Sequence, residues 1–441
     1  MANEIVVLGA GESGMGAAIL AKKKGLKVFV SENGAITTEN KKVLSNNEID
    51  WEEKGHSMQR ILSAEEIVKS PGIPDNSTLM KKIIKQSINV ISEVEFASRF
   101  TAAKIVAITG SNGKTTTTLL IGHILKKAGY DVLVAGNTGT GFAREITKKD
   151  YDYIVLELSS FQLDGIQKFK PKIAIVLNIT PDHLNRYNNE FEKYVASKLR
   201  ISMNQNKEDL LIYNEDDITI RKNIKTNARR VPFTLKNQIK GEGAFYKDDK
   251  ININLNNNKM TIQELALQGR HNIYNSMAAA ITGRILDVKN DIIRQSMLDF
   301  QNVEHRLEFV LSVHGIDFVN DSKATNVNAT WYALESMSKS VIWIAGGVDK
   351  GNDYTEIEDL VKARVKAIIC IGESAEKIKK HFKKITSQIQ IYDSMKDAVQ
   401  TSYQLGNKGD VVLLSPACAS FDMFHNFEQR GLEFKRQVRK L

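Results

Sequence analysis

The stretch Gly110-Ser111-Asn112-Gly113-Lys114-Thr115-Thr116 brings together two glycines, a lysine and hydroxyls, the residue types that hold a polyphosphate. Ahead of it lies the β-branched run 104–109. Behind it Leu120, Ile121, Ile124, Leu125 and Ala128 recur on one helical face that ends before Gly129. Strand, glycine loop and helix in that order aim backbone amides and a helix N-terminus at phosphates. Lys114 would neutralise the β/γ oxygens, and Thr115 would sit beside Mg2+. The spacing is the shorter Gly-x-x-Gly-Lys-Thr form, because Ile108 stands where the usual first glycine would be. Two further groups could complete a metal site. Glu157 lies in the strand-like run 153–158, and His183 follows the run 173–177 through a turn at Pro181. Open α/β sheets gather ligands at such strand ends, although Mg2+ favours oxygen over imidazole. Without the glycine loop, a surface carboxylate and a turn-capping histidine would be the plainer readings.

A second glycine cluster, Gly9-Ala10-Gly11-Glu12-Ser13-Gly14, separates the apolar run 5–8 from a helical stretch at 14–24, and Glu32 ends the next strand-like run. Strand, glycine turn, helix and a following acid match a dinucleotide site. A tight turn with no ligand would look the same.

The elements that position these groups alternate in a βα pattern through 441 residues, enough for roughly three domains. The expected fold is α/β. It has a Rossmann-like N-terminal domain (1–100), a central P-loop-type ATPase domain with a parallel sheet (101–301) and a C-terminal Rossmann-like α/β domain (302–441). Residues 237–261, rich in Asn and Lys with alternating Ile, read as a hairpin-like insertion. Strands are expected at 341–344, 367–371 and 411–414. With 42% hydrophobic and 26% charged residues the composition is that of a globular protein. No apolar run approaches the roughly 20 residues of a spanning helix. The start, Met1-Ala2-Asn3-Glu4, has no basic leader region. Two distant cysteines, Cys370 and Cys418, exclude a disulfide scaffold and suit a reducing cytoplasm. The net charge of +9 is spread along the chain, so nucleic-acid binding is not expected, whereas small anions would suit it.

Taken together, these motifs resemble the Mur ligase family over essentially the whole length. The resemblance rests on residues 110–116, on Leu156-Glu157-Leu158-Ser159-Ser160-Phe161-Gln162, on 178–183, on the Lys198 region, and on His271-Asn272, His305-Arg306 and Asn320-Asp321-Ser322-Lys323-Ala324-Thr325-Asn326. The closing stretches 414–422 and 426–431 look like the D-glutamate-adding branch. The resemblance implies a cytoplasmic, monomeric, ATP-dependent amide-bond-forming ligase of peptidoglycan synthesis. It would phosphorylate the carboxylate of UDP-N-acetylmuramoyl-L-alanine, and the amine of D-glutamate would attack the acyl phosphate. It further implies that Gly110, Ser111, Asn112, Gly113, Lys114, Thr115 and Thr116 cradle ATP, with Asn272, Arg306 and Asp321 also contacting the nucleotide. Thr115 and Glu157 would hold one Mg2+, and His183 and Lys198 a second, Lys198 being carbamylated because an ammonium cannot ligate a cation. From periodicity alone, Lys198 is an exposed lysine of a helix at 191–201. Ser13, Glu32 and Gly72 match uridine-diphosphate positions, and Asn137 and Ser159 match positions near the muramoyl-alanine end. Lys323, Thr325, Lys350, Ser420 and Phe427 match the D-glutamate pocket. Ser420 and Thr325 could instead cap helices, Lys350 could be a solvated turn residue, and Arg306 with Asp321 could form an interdomain ion pair. The C-terminal domain would close over the ligands, hinging at 302–304. Competing expectations are a sister ligase or folylpolyglutamate-type enzyme adding another amino acid, an NAD-dependent dehydrogenase built on the 9–14 turn, and a non-enzymatic nucleotide-regulated module.

Overall fold

The computed structural model describes residues 4–137, 140–267, 269–300 and 304–441. The expected leader-free start at Met1-Ala2-Asn3, the 301/302 boundary and most of the 302–304 hinge lie outside the described residues. The chain divides into two compact units, Met1–Leu265 with Tyr274–Leu298, and Ala266–Ile273 with Asp299–Leu441. Three sheets, one per domain, bear out the α/β expectation.

The first sheet has five parallel strands in the spatial order Asp50–Glu52, Lys27–Ser31, Glu4–Leu8, Glu66–Lys69, Asn89–Ser92. Chain order reverses beside Glu4–Leu8, and ligands of open α/β sheets enter at such a switch point. The turn after Glu4–Leu8 needs its glycines. A Cβ on Gly14 would stand 1.9 Å from the Gly9 carbonyl oxygen, and Gly9 itself has a φ of 94°. Tight approach of the helix Glu12–Lys23 to the strand end is thereby possible.

The second sheet has nine strands, with Lys104–Thr109 between Ile173–Val176 and Tyr153–Glu157. These strands are apolar on both faces, as a sheet covered by helices requires. The stretch expected to be a hairpin is a meander of three strands, Gly243–Lys247, Lys250–Leu255 and Asn258–Ile262. It joins the same sheet parallel to Arg229–Thr234 and continues it through two antiparallel pairings, and its alternating Ile251, Ile253 and Leu255 are buried. In the second unit Glu308–Val313 runs antiparallel to Ile316–Asn320. The parallel strands Val411–Leu414, Val341–Gly346, Val365–Ile371 and Ile389–Tyr392 follow. Among the described residues no helix is long and apolar enough to cross a membrane.

Within the first unit the two sheets are joined by buried carboxylates. Glu95 accepts from the backbone N–H groups of Gln167, Lys168 and Phe169 at 2.9, 2.9 and 2.7 Å. Glu93 is buried and accepts from Ala143 N at 2.5 Å. Burial raises the Glu93 carboxyl to about 7 from an ordinary 4.5, with the Glu12 charge adding to the rise. An acid with a raised folded pKa contributes stability that is fully present below pH 4.5 and is lost as pH rises through 7. Glu93→Gln should therefore gain stability relative to the wild type across that window, by up to about 3 kcal/mol. Urea unfolding at pH 4.5 and pH 8 measures the difference; an equal gap at both would mean that Glu93 ionises normally.

Candidate functional site

The phosphate-type loop leaves the central strand of the nine-stranded sheet. Register places Ile108 beside Glu157 and Thr109 beside Val176, so three strand ends open onto one edge. Gly110 and Gly113 have φ of 157° and 85°, and a Cβ on Gly113 would fall 2.3 Å from Asn275 Oδ1. The loop is anchored from the neighbouring strand. Asn112 N donates to Asn178 Oδ1 at 2.8 Å, and Asn178 Nδ2 donates to Asn112 O at 3.0 Å. Ser111 Oγ donates to Thr180 O at 2.8 Å, accepts from Thr180 N at 3.0 Å, and lies 3.1 Å from the Tyr194 hydroxyl. Thr115 and Thr116 are buried in the first turn of the helix Lys114–Lys127, with Gly113 at its N-cap.

Two lysines converge on this loop. Lys114 Nζ donates to Gly110 O at 2.7 Å and Ser111 O at 2.8 Å. Lys198 Nζ donates to the same Gly110 O at 2.9 Å and stands 4.7 Å above the Tyr194 ring. Lys198 is only 2% exposed, which removes the surface-lysine reading of the helix Phe191–Leu199. Burial holds its pKa well below the ordinary lysine value. The Lys114 charge acts in the same direction, while Asp182, Glu157 and Asp164 pull the other way. A buried lysine of this kind can exist as the neutral amine, a nucleophile.

Glu157 is buried at the end of Tyr153–Glu157, and Asn137 Nδ2 donates to its Oε1 at 3.1 Å. Gly136 permits this approach: a Cβ there would lie 2.2 Å from Glu157 O. His183 has a φ of 52°, sits edge-on to Phe161 at 5.4 Å between ring centroids, and has Nε2 3.6 Å from Asp182 Oδ2. The oxygens of Thr115 and Glu157 suit a hard cation. Lys198 suits one only after conversion to an anion. Ser159 is the N-cap of the helix Ser160–Asp164 in a reciprocal capping box with Gln162, so its hydroxyl also orders this strand end.

The crevice of the five-stranded sheet gathers Ser13, Glu32 and Gly72. Ser13 is half-buried in the first turn of its helix. Glu32 accepts from Ala10 N and Gly34 N, each at 2.8 Å, and so holds the glycine turn itself. Gly72 is exposed, and a Cβ on it would meet nothing. Sequence reasoning passed over Ser70. Its Oγ is buried without a hydrogen-bond partner, against the position a Gly9 Cβ would take.

The remaining candidates lie in the second unit, where Asn272 is buried. Asp321 is buried too, accepts from Ser415 Oγ at 2.8 Å, and is pushed up to about 7 by burial against the opposing Ser415 hydrogen bond and Arg306 charge. Arg306 and Asp321 belong to the same unit, and the Arg306 charge bears on the Asp321 carboxyl. Lys323 Nζ lies 5.1 Å over the Phe427 ring. Lys350 is exposed in the turn after Val341–Gly346, and Ser420 is buried. Neither Thr325 nor Ser420 caps a helix; Asn326 and Asn426 do. These loops are tied by Arg430, 1% exposed, which donates to Ser322 Oγ, Ser322 O and Cys418 O at 3.0, 2.8 and 3.1 Å. The only signal for Arg430 was its place in the closing motif.

Comparison with known proteins matches three family models in order. They are MurD N-terminal domain over residues 4–79, Mur ligase middle domain over 108–283, and Mur ligase, glutamate ligase domain over 305–418. The chain is 50% identical over 446 residues to a UDP-N-acetylmuramoylalanine--D-glutamate ligase of Christiangramia forsetii, covering 100% of both chains. In fold it is similar to a pseudomurein peptide ligase type C from Methanothermus fervidus, with a TM-score of 0.63, 20% identity and 99% of each chain covered. It is likewise similar to a MurF ligase from Thermotoga maritima in complex with ADP, with a TM-score of 0.62 and 15% identity, covering 94% of this chain and 95% of that one.

Proposed function

The chain belongs to the Mur ligase family, and from that premise we propose that it uses ATP to join D-glutamate to the alanyl carboxyl of UDP-N-acetylmuramoyl-L-alanine in peptidoglycan synthesis. The observation that carries this is the end-to-end match, at half identity, to relatives named for that reaction. The dehydrogenase and the non-enzymatic module are set aside with it.

In this reading an alanyl carboxylate oxygen attacks the γ-phosphorus and ADP leaves. The glutamate nitrogen then attacks the acyl carbon, loses a proton, and phosphate leaves from the tetrahedral intermediate. Lys114 and the amides of 110–116 hold the transferring phosphates, with Asn272, Arg306 and Asp321 at the nucleotide. Ser13, Glu32 and Gly72 take the uridine diphosphate, and Asn137 and Ser159 the muramoyl-alanine end. Lys323, Thr325, Lys350, Ser420 and Phe427 take D-glutamate, two carboxylates being well met by cations and hydroxyls. Thr115 and Glu157 would hold one Mg2+, His183 and Lys198 another; when bound, such ions neutralise charge building on the phosphoryl oxygens. For Lys198 this requires its neutral amine to bond to the carbon of CO2 and release a proton, giving a carbamate oxygen ligand. The depressed basicity of this buried amine supports that step. Domain limits at 100/101 and 301/302, a cytoplasmic location and a monomeric state complete the proposal.

The test is an amino-acid panel read as phosphate release with UDP-N-acetylmuramoyl-L-alanine and ATP. D-glutamate alone should support release. Release with L-alanine or a diamino acid instead would move the chain to a sister activity, and release without any amino acid would make it an ATPase.

A further inference from the structure

The five-stranded and nine-stranded sheets of the first unit meet at a loop whose hold is unusual. Residues 70–75 leave the strand Glu66–Lys69 and turn back on themselves, Ile73 N donating to Ser70 O at 3.1 Å. From its own domain the loop is held by Lys69, whose Nζ reaches Ile73 O at 3.1 Å and pairs with Asp75. From the central domain it is held by the side chain of Arg186. Arg186 Nη2 donates to Pro71 O at 3.2 Å and Ile73 O at 3.4 Å, and its Nη1 to Gly72 O at 3.4 Å. The same guanidinium lies 4.3 Å from the centroid of Phe161. Ile73 packs against the core of its own domain, while Asp75 lines a cavity of about 420 Å³ together with Phe161, Asp164, Arg186 and Tyr187.

We propose that Arg186 is a positioning residue for the UDP-linked substrate: it fixes the 71–73 peptides so that the Gly72 N–H faces the substrate crevice. In a trans peptide the carbonyl and the N–H point opposite ways. With Pro71 O drawn to Arg186, the N–H of Gly72 is turned away from it, and Gly72 is exposed, so that donor is open to an anion. Arg186 is three residues beyond His183, and the Phe161 ring contacts both side chains. One residue thereby sets the spacing between the diphosphate side and the reacting side. Only a planar fork can stack on a ring by its face while its edge donates to three acceptors.

This rests on the assignment of Gly72 to the UDP-linked substrate, so the experiment has two arms. In steady-state phosphate release, Arg186→Ala should raise KM for UDP-N-acetylmuramoyl-L-alanine about tenfold or more, with KM for ATP unchanged; small misplacements cost rates of this order. Arg186→Lys should restore little of it. In hydrogen exchange without ligands, residues 70–75 should exchange faster in Arg186→Ala while the melting temperature holds. An unchanged KM for the UDP substrate, or equal rises in both KM values, would overturn the proposal, as would unchanged exchange. A wild-type enzyme inactive on the UDP substrate would refute the functional reading, and the exchange arm would still decide whether Arg186 sets the loop.

Discussion

Lys198→Ala is expected to keep less than about a hundredth of wild-type turnover, the loss typical of a group that stabilises charge in a transition state. Lys198 approaches the same loop carbonyl as Lys114, and burial depresses its affinity for a proton. As an ammonium it would add a second positive charge beside Lys114. As a carbamate it would instead add negative oxygen where Thr115 and Glu157 already offer oxygen. The proposal separates these two states by rescue. Bicarbonate cannot restore Lys198→Ala, because the amine that takes up CO2 is gone. Acetate should restore part of the activity, by placing a small carboxylate in the space left. Wild-type enzyme should lose activity in CO2-depleted buffer and regain it on adding bicarbonate. Assays of folded Lys198→Ala with each anion check all three, and retention of most activity would make Lys198 a structural residue only.

The contrast between Lys114 and Lys198 shows what could be read in advance. Lys114 belongs to a local motif: Gly110 and Gly113 adopt φ of 157° and 85° within four residues of it, so residue type and spacing announce the turn. Lys198 is placed by a carbonyl 88 positions away, and helical spacing alone points it to solvent. Periodicity carries no information about which helix face another strand end will cover. Tyr194, one turn before Lys198, faces the same loop, and only that non-local contact marks it. The strand ends were readable because buried parallel strands are continuous apolar runs; the meander 243–262 was half-readable because its alternation signals strands without saying which sheet they extend. Hydroxyl and carboxyl roles were harder. Ser159 and Glu32 both spend hydrogen bonds on ordering backbone, whereas Thr325 and Ser420 leave capping to the asparagines. A single side chain's partner depends on a few degrees of backbone, which composition does not encode.

Lys114→Ala is expected to lower turnover by about 10²–10³-fold, with the fold intact. In the structure Lys114 bridges Gly110 O and Ser111 O at 2.7 and 2.8 Å, so its charge sits inside the loop whose amides would meet phosphate. Removing it deletes a half-buried cation, whose charge acts more strongly than one in bulk solvent. Two effects then compete. Loss of ground-state attraction would weaken ATP binding and raise KM, while loss of attraction to the oxygens that gain charge during transfer would lower kcat. The second should dominate, because the glycine loop's backbone amides and the helix N-terminus remain to bind nucleotide. The expected pattern is thus a large fall in kcat with a smaller rise in KM for ATP. Loss of one positive charge also removes the repulsion that helps to lower the Lys198 pKa, so Lys198 should hold its proton more tightly in the variant. Carbamate formation would then weaken, and Lys114→Ala should respond more than the wild type to added bicarbonate. Steady-state kinetics with ATP varied at two bicarbonate concentrations measures both effects. Near-normal kcat in a folded variant would remove Lys114 from phosphoryl transfer.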